Sequence, residues 1–257
     1  MALSKKYFYG MVLCLAVLAA GCGAVLVNQG SKNEPLTDGL RNPADLVAKV
    51  NVPADQKVID NFEDGSTNMS SKLFGDGGAG AWNAFASAGN TLTTPYVVSG
   101  GANGTAMAAH ISGTLVNKGD GQYPSFTLQG MLKKSGTYDA SMFEGIRFYY
   151  KCPADDKAPA RRFNVTIPAT LPSSGGGTCS DQCYNHFGAD LSMTGDWVQK
   201  TYSFSDFKRQ PGWGSIVTPP DFTDHLKELM TIEWNHNAGN TAGTYAIDYW
   251  VDEVEFF

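Results

Sequence analysis

Two short segments near opposite ends of the chain constrain its fold more than any other feature. Residues 58–65 (VIDNFEDG) and 247–257 (IDYWVDEVEFF) both alternate apolar and polar side chains, a pattern that predicts half-buried β-strands. If the first and last strands of a domain pair with each other, the carboxylates that they carry come together. Clustered carboxylates need a counter-charge, and outside the cytosol a hard cation such as calcium supplies it. The two segments therefore predict a β-domain with a calcium ion where its ends meet.

The first 21 residues are typical of a bacterial export signal rather than of a folded domain. Lys5 and Lys6 precede an apolar run at residues 11–20 that is too short for a stable membrane span. The small residues directly before Cys22 resemble a bacterial lipobox, in which cleavage frees the cysteine for attachment of a lipid. The alternative is an ordinary signal peptide cut at the same small residues. We expect residues 1–21 to be removed and Cys22 to anchor the protein at the outer membrane or cell surface.

The composition of the rest of the chain favours one β-domain behind a tether. Residues 22–56 are rich in Asn, Gly, Ser, Lys and Pro, which predicts a flexible tether. Residues 57–257 suit one large sandwich better than two domains. The 29 glycines and the aromatic content of 12% favour many strands joined by tight turns. With neither an internal repeat nor alternating strands and helices, the predicted fold class is all-β, an antiparallel two-sheet sandwich.

The charge of the chain argues against nucleic acid as a partner. Its formal net charge is −6, and 17 of the 19 basic residues remain against 25 acidic residues once Lys5 and Lys6 are removed. Such an acidic chain repels a phosphate backbone, and no basic cluster is interleaved with aromatic residues. We therefore expect no binding to nucleic acid.

The cysteines that remain after export allow two interpretations. Cys179 and Cys183 are four residues apart in a glycine-rich stretch, and an exported protein tends to oxidise such a pair to a disulfide. The alternative is a zinc site that uses both thiolates, His186 and one more ligand. Cys152 ends a predicted strand and is expected to be a buried free thiol.

Four short motifs, in order along residues 57–257, resemble those of family-11-type carbohydrate-binding modules. They are DNFEDG at 60–65, YDASMFEGIRF at 138–148, DW followed by FSDF within 196–207, and VDEVEF at 251–256. The resemblance implies a galactose-binding-like jelly roll. It also implies a structural calcium ion between the first and last strands, held by Glu63 and Asp252 with Asp60 as a third candidate.

Sugar chemistry indicates which side chains could form a binding site. Sugars present apolar C–H faces and dense hydroxyls, so a site combines exposed aromatic rings with polar partners. Two other tryptophans, Trp197 and Trp250, alternate with polar residues and are expected to fill the core. The alternative is that most of the aromatic residues pack beneath loops. The candidate rings are Trp82, Tyr123, Tyr184, Trp213 and Trp234, and the candidate polar partners are Asp181, Asn235 and His236.

Together these patterns predict a bacterial lipoprotein that binds a polysaccharide or oligosaccharide without cleaving it. A different function for the same sandwich is to hold a protein partner in the cell envelope. A third is glycoside hydrolysis, for which Glu253 and Glu255 alternate along the last strand. The sequence has no Gly-x-Ser-x-Gly motif, metal-binding histidine pair or phosphate-binding loop, so we expect no enzyme activity.

Overall fold

A computed structural model describes residues 53–69, 73, 78–94 and 96–257. In this part of the chain, strands form two antiparallel sheets that face each other, so the predicted two-sheet sandwich is confirmed. No helix among these residues has the length and apolar character to cross a membrane. The predicted signal segment, the lipid attachment site at Cys22 and most of the tether lie outside the described residues.

One sheet has seven strands, and its longest member lies near the middle. The order is β10, β7, β12, β5 and β3, while β1 also pairs with β12 and β4 also pairs with β5. The bounds are β1 Val58–Asp60, β3 Thr91–Leu92, β4 Val97–Ser99, β5 Met107–Asn117, β7 Gly145–Lys151, β10 Val198–Ser203 and β12 Gly243–Phe256.

The other sheet has five strands, in the order β2, β6, β11, β8 and β9. Their bounds are β2 Trp82–Ala86, β6 Ser125–Met131, β8 Ala160–Thr166, β9 Phe187–Asp190 and β11 Thr231–Asn237. Short 3-10 helices occupy some connections, at Ala54–Gln56, Pro168–Thr170, Ser173–Gly175, Phe204–Asp206 and Phe222–His225.

The first and last strands pair with each other, as the sequence predicts. Val58 lies opposite Glu255 and Asp60 lies opposite Val254. The pairing of β12 with β7 shifts between Asp252 and Glu255, where Glu253 has a φ of 46°. Such a bulge bends a strand. It falls between the part of β12 that pairs with β5, which ends at Val251, and the part that pairs with β1.

Large aromatic rings fill the space between the two sheets. The ring of Trp234 lies 4.9 Å from that of Phe148, 4.8 Å from Phe163 and 5.9 Å from Trp82. The indole of Trp82 donates a 2.7 Å hydrogen bond to Oδ2 of Asp60. Trp82 and Trp234 are both buried, so the prediction that they are sugar-binding rings is wrong.

His236 is also buried rather than available to a ligand. Its Nδ1 lies 2.8 Å from Oδ2 of Asp156, and its Nε2 lies 2.8 Å from the hydroxyl of Tyr150. Arg161 completes the network through Nη2, 2.8 Å from Oδ1 of Asp156. Both ring nitrogens are therefore committed inside the domain, and the predicted sugar contact of His236 is wrong.

Two tryptophans that were expected in the core lie on the outer face of the seven-stranded sheet instead. Trp250 is partly exposed, whereas its neighbours Tyr249 and Val251 are buried. Successive side chains of a strand point to opposite faces, so Trp250 points outward. Trp197 is also partly exposed and makes an edge contact with Trp250 at 6.3 Å.

The cysteines follow the disulfide interpretation. Cys179 and Cys183 are joined, and Cys152 is free and buried. The zinc alternative is wrong because both thiols are consumed by the disulfide. His186, its third proposed ligand, directs Nδ1 to Oγ1 of Thr170 at 2.9 Å.

Candidate functional site

Two rows of side chains cross all five strands of the smaller sheet on its outer face. Each residue of a row is the direct cross-strand neighbour of the next. Because strands lie about 4.8 Å apart, a five-strand row extends about 19 Å. From β2 to β9, the first row is Phe85, Thr127, Asn235, Arg162 and Asp190, and the second row is Asn83, Gln129, Glu233, Asn164 and Gly188.

Hydrogen bonds fix the polar groups of both rows in place. In the first row, Nδ2 of Asn235 donates to Oγ1 of Thr127 at 2.8 Å. In the second, Nε2 of Gln129 donates to Oε1 of Glu233 at 2.7 Å, and the hydroxyl of Thr231 donates to the same oxygen at 3.0 Å. The polar atoms of the rows are therefore already oriented; Thr127 and Glu233 are buried, whereas Asn235 and Gln129 are partly exposed.

Arg162 is the most tightly held side chain of the first row. Its Nε donates to Oδ1 of Asn164 at 3.1 Å, and its Nη1 donates to Oδ1 of Asp190 at 2.7 Å. Its Nη2 donates to the carbonyl oxygens of Gly188, at 3.0 Å, and of Lys208. The planar guanidinium is therefore locked across β9.

This position of Arg162 requires glycine at residue 188. A Cβ atom there would lie 2.3 Å from the carbonyl oxygen of Phe163, 2.6 Å from Oδ1 of Asn164 and 3.1 Å from Nε of Arg162. Any larger residue would push against the strand backbone and the guanidinium together.

The connection between β8 and β9 covers one border of the face. Within it, the amide of Tyr184 donates to the carbonyl of Thr170 at 2.9 Å, and His186 is buried. Burial lowers the pKa of His186; the charge of Glu233 opposes this, and the guanidiniums of Arg209 and Arg162 add to it. His186 is therefore a neutral part of a wall beside the rows.

A second loop, residues 207–216, is fastened to this wall. The side chain of the buried Asn185 donates to the carbonyls of Gln210 and Trp213, at 2.8 and 2.7 Å, and accepts from the amide of Gln210. The amides of Gly214 and Ser215 donate to Gln182. The loop at residues 207–216, here called the Trp213 loop, and the connection between β8 and β9, here called the disulfide loop, therefore form one rigid rim.

The predicted aromatic residues of the loops are exposed. Tyr123 and Tyr184 are each 60% exposed and Trp213 is 47% exposed. Tyr184 is held at a φ of 76°, a rare conformation for a bulky residue. Phe85, which the sequence analysis did not select, is 45% exposed at the β2 end of the first row.

An open pocket of about 650 Å³ lies where the rows meet the Trp213 loop. Six of its lining residues are charged or aromatic: Arg162, Asp190, Asp206, Lys208, Arg209 and Trp213.

The polar residues predicted to contact sugar do not all lie in the rows. Asn235 lies within the first row, whereas Asp181 is exposed in the disulfide loop and is not part of either row.

The three carboxylates predicted to hold calcium divide into a pair and a single residue. Oε1 of Glu63 accepts the amides of Ala106 and Met107, both at 2.8 Å. Oδ2 of the buried Asp252 accepts from Ala102 and Thr105 in the same segment. Glu63 and Asp252 therefore share one location, at which no ion pair with a basic side chain is found among the described residues.

Asp60 points elsewhere. Its Oδ1 accepts the amide of Phe62 at 2.8 Å and its Oδ2 accepts the indole of Trp82. Burial raises the pKa of Asp60 to about 6, and burial followed by the charge of Glu63 raises that of Asp252. A cation would offset the negative charge at Glu63 and Asp252, so these two residues fit the implied ion better than the full set of three.

Another group of potential metal ligands lies in the interior. Among the described residues, one set of three has ligand atoms within 4.8 Å of one another, namely Cys152, Asp156 and His236. Arg161 places a positive charge on Asp156, and His236 bonds to Asp156 and Tyr150. This set forms a satisfied buried network rather than an open metal site.

Glu253 and Glu255, the carboxylates of the hydrolase alternative, do not lie on the polar face. Nε of Arg147 donates to Oε1 of Glu255 at 2.5 Å, and Glu253 occupies the bulge of β12. Both belong to the seven-stranded sheet. They therefore lie on a different sheet from the two rows.

The sequence analysis missed several residues of the rows and of the rim beside them, among them Arg162 and Glu233 in the rows and Asn185 and Arg209 in the rim. A usable signal was present in the sequence, because Arg162 and Asn164 alternate with the apolar Phe163 and Val165 in β8. Glu233 and Asn235 likewise alternate with the apolar Ile232 and Trp234 in β11. Asn185 has no such pattern, since it lies in a loop.

The fold is similar to those of solved bacterial carbohydrate-binding modules. A family 11 module from Clostridium thermocellum, in complex with a β-1,3-1,4-mixed-linked tetrasaccharide, is 17% identical with a TM-score of 0.43, covering 68% of this chain and 88% of that one. The family 30 module of a cellulosomal cellulase from the same organism is 9% identical, with a TM-score of 0.39 and coverages of 65% and 89%. A xylan-binding CBM22 domain from Paenibacillus barcinonensis is 14% identical, with a TM-score of 0.35 and coverages of 68% and 84%. No family model matches the sequence, and no curated protein matches it.

Proposed function

We propose that this protein binds a polysaccharide on the outer face of the five-stranded sheet and does not cleave it. The observation that carries the proposal is the pair of rows that cross all five strands between the exposed Phe85 and the Trp213 loop. A set of side chains that crosses a whole sheet in this way suits an extended polymer better than a compact ligand.

The chemistry of the face matches that of sugars. The rows offer the amides of Asn235 and Gln129, the guanidinium of Arg162 and the exposed carboxylate of Asp190 to sugar hydroxyls. The exposed rings of Phe85 and Trp213 can pack against apolar C–H faces. Because hydrogen bonds already fix Asn235, Gln129 and Arg162, less side-chain entropy is lost when a ligand binds.

Binding without hydrolysis is supported by the state of the carboxylates on the face. Glycoside hydrolysis ordinarily needs two carboxyl groups free to act as acid and as base or nucleophile. Here Oε1 of Glu233 accepts two hydrogen bonds, and Asp190 is paired with Arg162. Both groups are therefore engaged, and Asp206 is the one acid of the pocket lining without an ionic partner among the described residues, so the lining does not supply a pair of free carboxyl groups.

Affinity gel electrophoresis tests the proposal directly. The full chain, kept in mild detergent because of its apolar N-terminal run, would migrate through gels that contain glucans, mannans, xylans or galactans. At least one polymer should retard it without becoming shorter. Phe85→Ala should weaken the retardation, whereas Val198→Ala, a change at an exposed apolar strand residue of the other sheet, should not.

Two outcomes would overturn this function. The first is migration that no polymer alters, which would favour the envelope-protein partner. The second is retardation that Phe85→Ala and Val198→Ala change equally, since the binding surface would then not be the polar face.

The location of the protein remains part of the proposal. The lipobox-like residues before Cys22 support a lipid anchor that presents the sandwich at the bacterial surface. Metabolic labelling with a radioactive fatty acid should mark the native chain, and Cys22→Ser should abolish the label. A label that survives this substitution would disprove the anchor.

A further inference from the structure

The pocket beside Trp213 has a charge that contrasts with the rest of the chain. The whole sequence has 25 acidic and 19 basic residues, yet three basic side chains, Arg162, Lys208 and Arg209, line this one pocket with the acids Asp190 and Asp206. What matters for a ligand is which of these charges are already paired.

Arg209 has no carboxylate partner among the described residues. Its Nε donates to the carbonyl of Asn185 at 2.9 Å, and its Nη2 donates to the carbonyl of Ser215 at 2.6 Å. Both acceptors are neutral, so the positive charge remains unbalanced. Partial burial lowers the pKa of Arg209, but a guanidinium stays charged at neutral pH.

Lys208 adds a second cation that is nearly free. Its Nζ lies 3.9 Å from Oδ1 of Asp221, and both side chains are 68% exposed, so this pair contributes little. Of the two acids, Asp190 is engaged by Arg162 at 2.7 Å, and Asp206 accepts the amide of Ser203. Two cations and one acid are thus left without an ionic partner that binds them closely.

We propose that this pocket binds the carboxylate of an acidic sugar, so that the preferred polysaccharide carries uronic acid units. The inference rests on the proposed function and specifies its ligand. Lys208 and Arg209 face the carboxylate while the ring of Trp213, which lines the same pocket, packs against the sugar. Because the chain as a whole is acidic, isolated uronic acid units on a neutral backbone suit it better than a uniformly acidic polymer.

A titration with sodium glucuronate tests the pocket without any polymer. In the isotope-labelled full chain, NMR would follow the Nε–H signal of Arg209 and the indole N–H signal of Trp213. Glucuronate should shift both. Glucose, which lacks the carboxylate, and sodium acetate, which lacks the sugar ring, should shift them much less at equal concentration.

A charge variant with a matched control makes the test specific. Lys208→Gln removes one cation without disturbing the carbonyl contacts of Arg209, and should weaken glucuronate binding about tenfold. Lys134→Gln, at an exposed lysine outside the pocket lining, makes the same change in net charge and should leave the affinity unchanged.

Three results would overturn the inference: no shift with glucuronate, equal shifts with acetate, or equal effects of the two lysine substitutions. The polymer gels report separately on the proposed function. If a neutral polymer retards the chain but glucuronate shifts neither NMR signal, sugar binding is retained and the acidic ligand is rejected. Failure of every polymer in the gels would reject the proposed function itself.

Discussion

The two outer faces of the sandwich use aromatic residues in opposite ways. On the seven-stranded sheet, His110 and Lys151 are the cross-strand neighbours of Trp250. The imidazole stacks on the indole at 3.8 Å, and Nζ of Lys151 lies 5.4 Å from the indole centroid. On the five-stranded side, Phe85 and Trp213 have no ring partner among the described residues.

The comparison teaches that partly exposed rings differ in how much of their surface is already in contact with other side chains. Trp250 reaches solvent, but its neighbours on both adjacent strands already contact the indole. Phe85 and Trp213 are exposed and unstacked, and they stand beside polar groups that are already oriented. A free ring next to fixed hydrogen-bonding groups is the criterion on which the proposed sugar contacts rest.

The largest effect that we expect concerns the core between the two faces, where Asp60 of β1 bonds to Trp82 of β2. Because burial raises the pKa of Asp60 from 3.8 to about 6, the folded chain binds this proton more tightly than the unfolded chain. Its contribution to stability is present at low pH and is lost as the pH rises through this window, by about 3 kcal/mol.

Urea unfolding of the wild type and Asp60→Asn at a series of pH values measures this pH-dependent contribution of Asp60 to the free energy of unfolding. The difference in unfolding free energy, wild type minus variant, should fall between pH 3.8 and about 6. A difference that stays constant or rises would contradict the assignment. Retention of the variant by polymer should be unchanged at neutral pH, since a loss would mean that the faces are not independent of this core contact.

The next effect tests the comparison itself with one substitution on each face. Trp213→Ala should weaken polymer binding by about 2 kcal/mol, or roughly thirtyfold, because it removes a free ring. Trp197→Ala removes the same side chain from the other face and should leave the affinity within about twofold. Isothermal titration with the retarding polymer measures both. Equal losses would show that the seven-stranded face also binds.

A smaller effect is expected at Gly188, on which the arrangement of the polar face depends. Gly188→Ala should cost about 1–2 kcal/mol of stability, because the new Cβ crowds the backbone of Phe163 and the guanidinium of Arg162. Gly175→Ala is the control, since its Cβ would lie 3.7 Å from the nearest atom, in Leu171. Thermal unfolding that does not distinguish the two variants would argue against the tight packing at Arg162.

The smallest effect concerns calcium at Glu63 and Asp252. Calcium at about five times its Kd should stabilise the fold by about 1 kcal/mol, or roughly 2–4 °C in Tm, and a chelator should reverse this. Glu63→Gln should remove the response, while Asp64→Asn, at the neighbouring acid, should retain it. A Tm that is insensitive to calcium in the wild type would refute the site.

The sequence predicted the features that depend on local pattern or on the chain ends. The two-sheet sandwich, the pairing of β1 with β12, the bond between Cys179 and Cys183, and the exposure of Tyr184 and Trp213 all followed from alternation, spacing or glycine-rich context. The polar rows could not be predicted this way. They depend on the register of five strands that are far apart in the sequence.

The misassigned residues of β11 and β12 share one physical origin, the two-residue period of a strand. Trp234, Asn235 and His236 were all proposed as sugar contacts, but consecutive side chains point to opposite faces. The structure places Asn235 outward and its two neighbours inward. For Trp250 the alternation was recognised, but the face that is buried was assigned incorrectly.

The two rows also have a fixed spacing between their members. Their members belong to different strands, so the spacing between successive contacts is set by the backbone ladder at about 4.8 Å and not by any side chain. A substitution can change the chemical group at one position of a row, from a hydroxyl to a charge, but it leaves the distance between neighbouring positions unaltered. In the proposed complex, the main chain would therefore set the repeat length that the sheet can match, and the side chains would select the chemical groups on the polymer.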